Sequence, residues 1–142
     1  MKYLTQTEKQ TFNLGWALAK KTKTGQVFAL TGHLGAGKTV LVKGFAAGLG
    51  IKKIITSPTF VLMKVYPVNK KGLKIKKLVH IDCYRINQVQ AIIDIGALEY
   101  FGQPETVVLI EWAERIKKIL PKDKKVIKIE IGKNNKRIIS LK

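Results

Sequence analysis

GHLGAGKT, Gly32 to Thr39, is the stretch on which the reading of this chain turns. It fits G-x-x-x-x-G-K-[ST], the pattern of a phosphate-binding P-loop. The apolar run Val27, Phe28, Ala29, Leu30 precedes it without polar alternation, as a buried parallel strand does. Leu41, Val42, Phe45, Ala46 and Leu49 then recur at helical spacing. The glycine-rich stretch therefore sits between a strand and a helix, where phosphate chemistry requires it.

The residue types carry the chemistry. Gly32, Gly35 and Gly37 have no Cβ, so the loop can take positive φ and close its N–H groups around phosphate oxygens. The following helix adds the partial positive charge of its N-terminus. The expected phosphate contacts run from Gly32 through His33, Leu34, Gly35, Ala36, Gly37, Lys38 and Thr39 to Val40. In this pattern Lys38 reaches the β- and γ-phosphates of a nucleoside triphosphate and Thr39 ligates Mg²⁺.

A chain of 142 residues, 46% hydrophobic and 25% charged, suits one domain, residues 1–142, with a real core. The polar start MKYLTQTEKQ and the lack of a long apolar run predict neither a signal peptide nor a membrane span, hence a cytoplasmic protein. The single cysteine, Cys83, reads as a small buried hydrophobe at a strand end. A net charge of +18 suggests a polyanionic partner such as RNA, although lysine spread along the chain also fits ordinary solvated faces.

Thr5 to Glu8 reads as a capping box, and Phe12, Trp16 and Ala19 continue a helix over 6–20. The β-rich residues from Phe60 to Tyr66 predict a strand, preceded by Ser57, Pro58 and Thr59, a hydroxyl-rich segment fit for a switch-like loop. Residues 75–82 return as its hairpin partner. LVHID ends in Asp82 and VVLIE in Glu111; each is an apolar strand closed by an acid, as a Mg²⁺ site needs. Spacing does not rank the two, so both are candidate catalytic and metal-binding residues beside Lys38 and Thr39. A helix over 88–100, a short helical turn over 115–119 and a terminal hairpin around Gly132 to Lys136 complete the chain. The expected class is α/β: a P-loop NTPase of three layers, with a mostly parallel central sheet plus antiparallel hairpins.

With these motifs assembled, the chain resembles the bacterial tRNA threonylcarbamoyladenosine biosynthesis ATPase family, TsaE (YjeE). The resemblance spans nearly the whole length. It rests on GHLGAGKT, then SPTF at Ser57 to Phe60, HIDCYR at His80 to Arg85, IGALEYF at Ile95 to Phe101 and IEW at Ile110 to Trp112, in that order. It implies a small Mg²⁺-dependent ATPase, slow alone, that supports partner subunits TsaB and TsaD as they modify the adenosine beside the anticodon of tRNA. It also implies that Glu111 is the acid of Mg²⁺ binding and hydrolysis, that Asp82 is a second acid, and that Thr7, Thr11 and Arg137 approach the nucleotide base. His33 departs from the family's usual acid and reads as solvent-facing; Ala113 replaces a frequent proline, and Asn87 to Gln90 lacks the usual acids. Trp112 reads equally as core packing or site contact, and Arg85 as a structural partner of Asp82 or a phosphate contact, the former favoured.

Two other functions compete. A small P-loop kinase would need an acceptor site and usually an arginine-bearing lid, and this chain has only Arg85, Arg115 and Arg137. An RNA-binding module with a structural nucleotide fits the charge but leaves two metal-competent acids unexplained.

Overall fold

The computed structural model describes residues 1–58 and 60–142; Thr59, the end of the expected switch-like segment, lies outside the described residues. Seven strands form one sheet: β1 (Lys2–Thr5), β2 (Val27–Thr31), β3 (Met63–Pro67), β4 (Lys77–Asp82), β5 (Thr106–Glu111), β6 (Lys125–Ile131) and β7 (Arg137–Leu141). Their order is β1-β7-β6-β2-β5-β4-β3. The central four strands are parallel. The three outer pairings are antiparallel, so the sheet as a whole is mixed: the expected parallel centre with antiparallel pairs at its edges.

Alternate residues of the central strands feed two apolar layers. Phe28, Leu30, Leu78, Leu109 and Ile127 face helices α1 (Glu8–Lys21) and α2 (Lys38–Gly48), where Leu41, Phe45 and Leu18 are buried. Val27, Ala29, Val79, Ile81, Val108 and Ile110 face the opposite layer, built from the short helix α3 (Gln90–Asp94) and 3₁₀ turns at Ala97–Tyr100 and Ala113–Ile119. The three expected layers are present, one of them thin. Helices α1 and α2 meet at glycines: a Cβ on Gly15 would stand 2.2 Å from the Leu41 carbonyl oxygen, and one on Gly44 1.9 Å from that of Phe12.

Several boundaries differ from expectation, each for a local reason. Helix α1 begins two residues late because Thr7, not Thr5, is the N-cap; its hydroxyl accepts from the Gln10 N–H. Thr5 instead ends β1, an unexpected strand held by pairing with the distant β7. Strand β3 begins at Met63, since Phe60 and Val61 form an exposed turn and Leu62 has φ 66°. Its partner β4 begins at Lys77 rather than residue 75. The helix expected over 88–100 breaks at Gly96, whose φ of 81° ends α3 and redirects the chain into a 3₁₀ turn. The turn expected from Arg115 already starts at Ala113.

Candidate functional site

Strands β2, β4 and β5 end at the same edge of the sheet, where ligands of open α/β sheets bind. β2 runs into the loop of residues 32–37, and α2 starts at Lys38 with Gly37 as its N-cap. Gly35 and Gly37 have φ of 79° and 113°, a region costly for residues with a Cβ. Ala36 is fully buried and anchors the loop. Arg137, reaching over from β7, donates from Nε to the Ala36 carbonyl at 2.9 Å and from Nη2 to that of Gly35 at 3.3 Å. The terminal hairpin thus braces the loop backbone from outside.

Lys38 Nζ donates to the carbonyls of Gly32 (2.6 Å) and His33 (2.9 Å) and lies 4.1 Å from the centre of the Trp112 ring. Burial lowers its pKa, while the charges of Glu111, Glu114 and Asp82 oppose that shift. Trp112 can reach it because its backbone is left-handed, with φ 57° and ψ 39°. For an aromatic residue that conformation is strained, by roughly 1–3 kcal/mol. The same ring packs on Tyr84 at 4.9 Å and lies 5.5 Å from the Arg115 guanidinium.

Asp82 and Glu111 are register partners at the ends of β4 and β5, and both are buried. Glu111 Oε1 accepts from the Thr39 hydroxyl at 2.8 Å; Oε2 lies 2.6 Å from Nε2 of the fully buried His80. Asp82 accepts from the Ser57 hydroxyl and, at 2.9 Å, from the Tyr84 N–H. Two carboxylates and a hydroxyl form an all-oxygen donor set, which a small hard cation such as Mg²⁺ takes together with water and phosphate oxygens. A cavity of about 660 Å³ opens over these groups, within the size range of small-molecule sites.

The TsaE profile, "Threonylcarbamoyl adenosine biosynthesis protein TsaE", matches residues 5–139. The chain belongs to the TsaE family. Its relatives include the tRNA threonylcarbamoyladenosine biosynthesis proteins TsaE of Bacillus subtilis, 38% identical over 99% of this chain and 84% of that one, and of Treponema pallidum, 36% identical over 99% of both. The crystal structure of Bacillus subtilis YdiB superposes with a TM-score of 0.79 at 34% identity, covering 99% of this chain and 83% of that one.

In this TsaE-family chain the cavity gathers residues from six separated segments. Thr7 and Thr11 of α1, the run from Leu34 to Val40, Ser57, Asp82 with Arg85, and Glu111 with Trp112 all line it, as does Arg137. Gly32 and His33 stand outside the lining and serve through their carbonyls; the His33 side chain is exposed, as expected. The favoured pairing of Arg85 with Asp82 does not form. The Tyr84 N–H turns back to Asp82, and exposed Arg85 lies over the Phe60 ring at 4.9 Å. Arg115 is exposed outside the cavity lining, with its guanidinium 5.5 Å from the Trp112 ring and 5.6 Å from that of Tyr84. Sequence reasoning named His80 only as a motif letter; a histidine inside an otherwise apolar strand, two residues before a site acid, was the available signal.

Proposed function

We propose that this chain binds and slowly hydrolyses Mg²⁺-ATP in support of threonylcarbamoyl modification of the adenosine beside the tRNA anticodon, acting on partners of the TsaB and TsaD type. The observation that carries the reading is the convergence of Lys38, Thr39, Asp82 and Glu111 on one cavity beside a glycine-rich strand-to-helix loop. The loop N–H groups and the α2 N-terminus cradle the phosphates. Lys38 exchanges the Gly32 and His33 carbonyls for the β- and γ-phosphate oxygens. Thr39, Asp82 and Glu111 hold Mg²⁺, which when bound neutralises charge developing on those phosphates. Glu111, fixed by partners on both oxygens, orients the attacking water; the water oxygen bonds to the γ-phosphorus as the bridging P–O bond breaks, ADP keeps that electron pair, and the proton shed by the water is taken up by the product phosphate. Thr7, Thr11 and Arg137, which also line the cavity, would meet the rest of the nucleotide.

Partner coupling is supported by two exposed apolar side chains, Leu34 of the cavity lining at 69% and Phe60, which lies under the lining residue Arg85, at 85%, both suited to a protein contact. Calorimetric titration with ATP, and phosphate release with and without TsaB and TsaD, test the proposal. Lys38→Ala should weaken ATP binding about a hundredfold, since it removes charge-assisted bonds of about 1.5–3 kcal/mol each. Wild-type affinity in that variant, or fast hydrolysis by the isolated chain, would overturn the reading.

A further inference from the structure

The two ends of the sheet differ in charge. The cavity at one end is lined by both signs, Glu8, Asp82 and Glu111 with Lys38, Arg85 and Arg137. At the other end, the segments before β2, β4, β5 and β6 and after α2 (residues 20–23, 70–76, 102–105, 122–124 and 52–53) carry eleven lysines against two acids, Glu105 and Asp123. Part of this surface is shaped. A groove of about 600 Å³ is lined by Lys52, Lys53, Asn69 and Lys70 together with Ile51 and Pro67, and no acid lines it. The Lys70 side chain packs against Gly50, and its ammonium pushes the Lys20 pKa down. Lys20 Nζ in turn lies 4.6 Å from the centre of the Trp16 ring, which is 45% exposed although tryptophan is usually well buried. Like charges are therefore crowded beside an open aromatic, and among the described residues no ion pair neutralises them.

We propose that Trp16, Lys20, Lys52, Lys53 and Lys70 form an RNA-binding surface for a single-stranded segment, with phosphates on the lysines and one base stacked on the indole. An aromatic platform beside a basic groove is how single strands are held without sequence readout. The cation–π contact of Lys20 is worth only about 0.5–1 kcal/mol at an exposed site, so its ammonium readily moves to a phosphate and frees the ring face. An acidic protein would engage the lysines but has no base to place on Trp16. The surface shares no residue with the lining of the ATP cavity, so RNA binding can be measured on the nucleotide-free protein.

The test is fluorescence anisotropy of a labelled oligoadenylate decamer with the full-length protein. Four neutralised phosphates give a slope of log affinity against log salt of about −2.8, a loss of roughly fiftyfold between 50 and 200 mM. The double variant Lys20→Gln/Lys70→Gln should flatten the slope to about −1.4. Trp16→Ala should weaken binding about tenfold, and Trp16→Phe should retain it. Calorimetric ATP affinity, unchanged in all three, certifies the fold independently of RNA. Unaltered RNA binding in both the double-lysine and the Trp16→Ala variants would overturn the proposal. So would displacement of the decamer by polyglutamate together with indifference to Trp16→Ala, which would assign the surface to an acidic protein.

Discussion

His80 Nε2 lies 2.6 Å from Glu111 Oε2, with the two side chains 0% and 3% exposed, while His80 Nδ1 has no hydrogen-bond partner among the described residues. A ring protonated on Nε2 alone donates to the carboxylate and leaves a lone pair, not an N–H, unmatched at Nδ1. Thr39 donates to the other carboxylate oxygen, so Glu111 is pinned from both sides. His80 thereby positions the acid without touching the cavity. Loss of such an orienting partner typically costs 10- to 100-fold. His80→Leu should slow hydrolysis by roughly that factor and raise the Mg²⁺ concentration needed for half-maximal rate, with metal-free ATP affinity unchanged. His80→Gln, whose amide nitrogen reaches the Nε2 position, should recover much of the loss. Identical Mg²⁺ titrations for the Leu and Gln variants would contradict this role.

The two acids are expected to part company when each loses its charge. Glu111→Gln keeps the shape but cannot orient water as a carboxylate does, so ATP binding should persist while hydrolysis falls at least a hundredfold, a general-base-sized effect. Asp82→Asn should weaken Mg²⁺ dependence more than the rate at saturating Mg²⁺. Phosphate release across a Mg²⁺ series separates them; a rate loss confined to Asp82→Asn would reverse the assignment.

Trp112 should report the triphosphate. Lys38 Nζ sits 4.1 Å from its ring centre and must leave the Gly32 and His33 carbonyls to reach phosphates. Emission should change on adding ATP with Mg²⁺, and Trp16→Phe should leave that change intact because Trp16 lies outside the cavity lining. If the response vanishes with Trp16, the signal comes from α1 instead.

Cys83 should make the fold sensitive to alkali. Burial, then the charges of Asp82 and Glu114, push its thiol from 9.0 up to about 12, with Arg115 opposing. Between these values the unfolded chain releases a proton that the folded chain retains, so stability falls as pH rises through that window, by up to about 1.4 kcal/mol per pH unit. Urea midpoints measured from pH 8 to 11 should drop more steeply in wild type than in Cys83→Ala. Parallel curves would show that the thiol is not the sensitive group.

The parts legible in the sequence were those whose signal is local. Strand, loop and helix around Gly32 to Thr39 announce themselves by apolar run, glycines and helical spacing, and strands ending in Asp82 and Glu111 by their final acid. What escaped depended on distant partners. β1 exists because Lys2 to Thr5 pairs with a strand more than 130 residues away, and that pairing selected Thr7 over Thr5 as the helix cap. The Arg137 brace and the His80 clasp are likewise contacts across the fold, between residues 101 and 31 positions apart. Arg85 was misplaced because proximity in sequence to Asp82 said nothing of the turn that carries it outward.

The glycine contact between α1 and α2 has a mechanical meaning. With backbone seated on backbone at Gly15 and Gly44, no side chain stands between the helices at those two crossings to absorb a displacement. The pair moves as one rod, about 20 Å long from the 14 residues of α1 at ~1.5 Å each. One tip of that rod carries Lys38 and Thr39 on α2 and Thr7 and Thr11 on α1; the other carries Trp16, Lys20 and the exit to Lys52. A tilt of ~5° about one tip moves the far tip by nearly 2 Å. Phosphate arrival at the loop and strain at the basic groove can thus be exchanged through a lever, with no chain of rotamer changes between them.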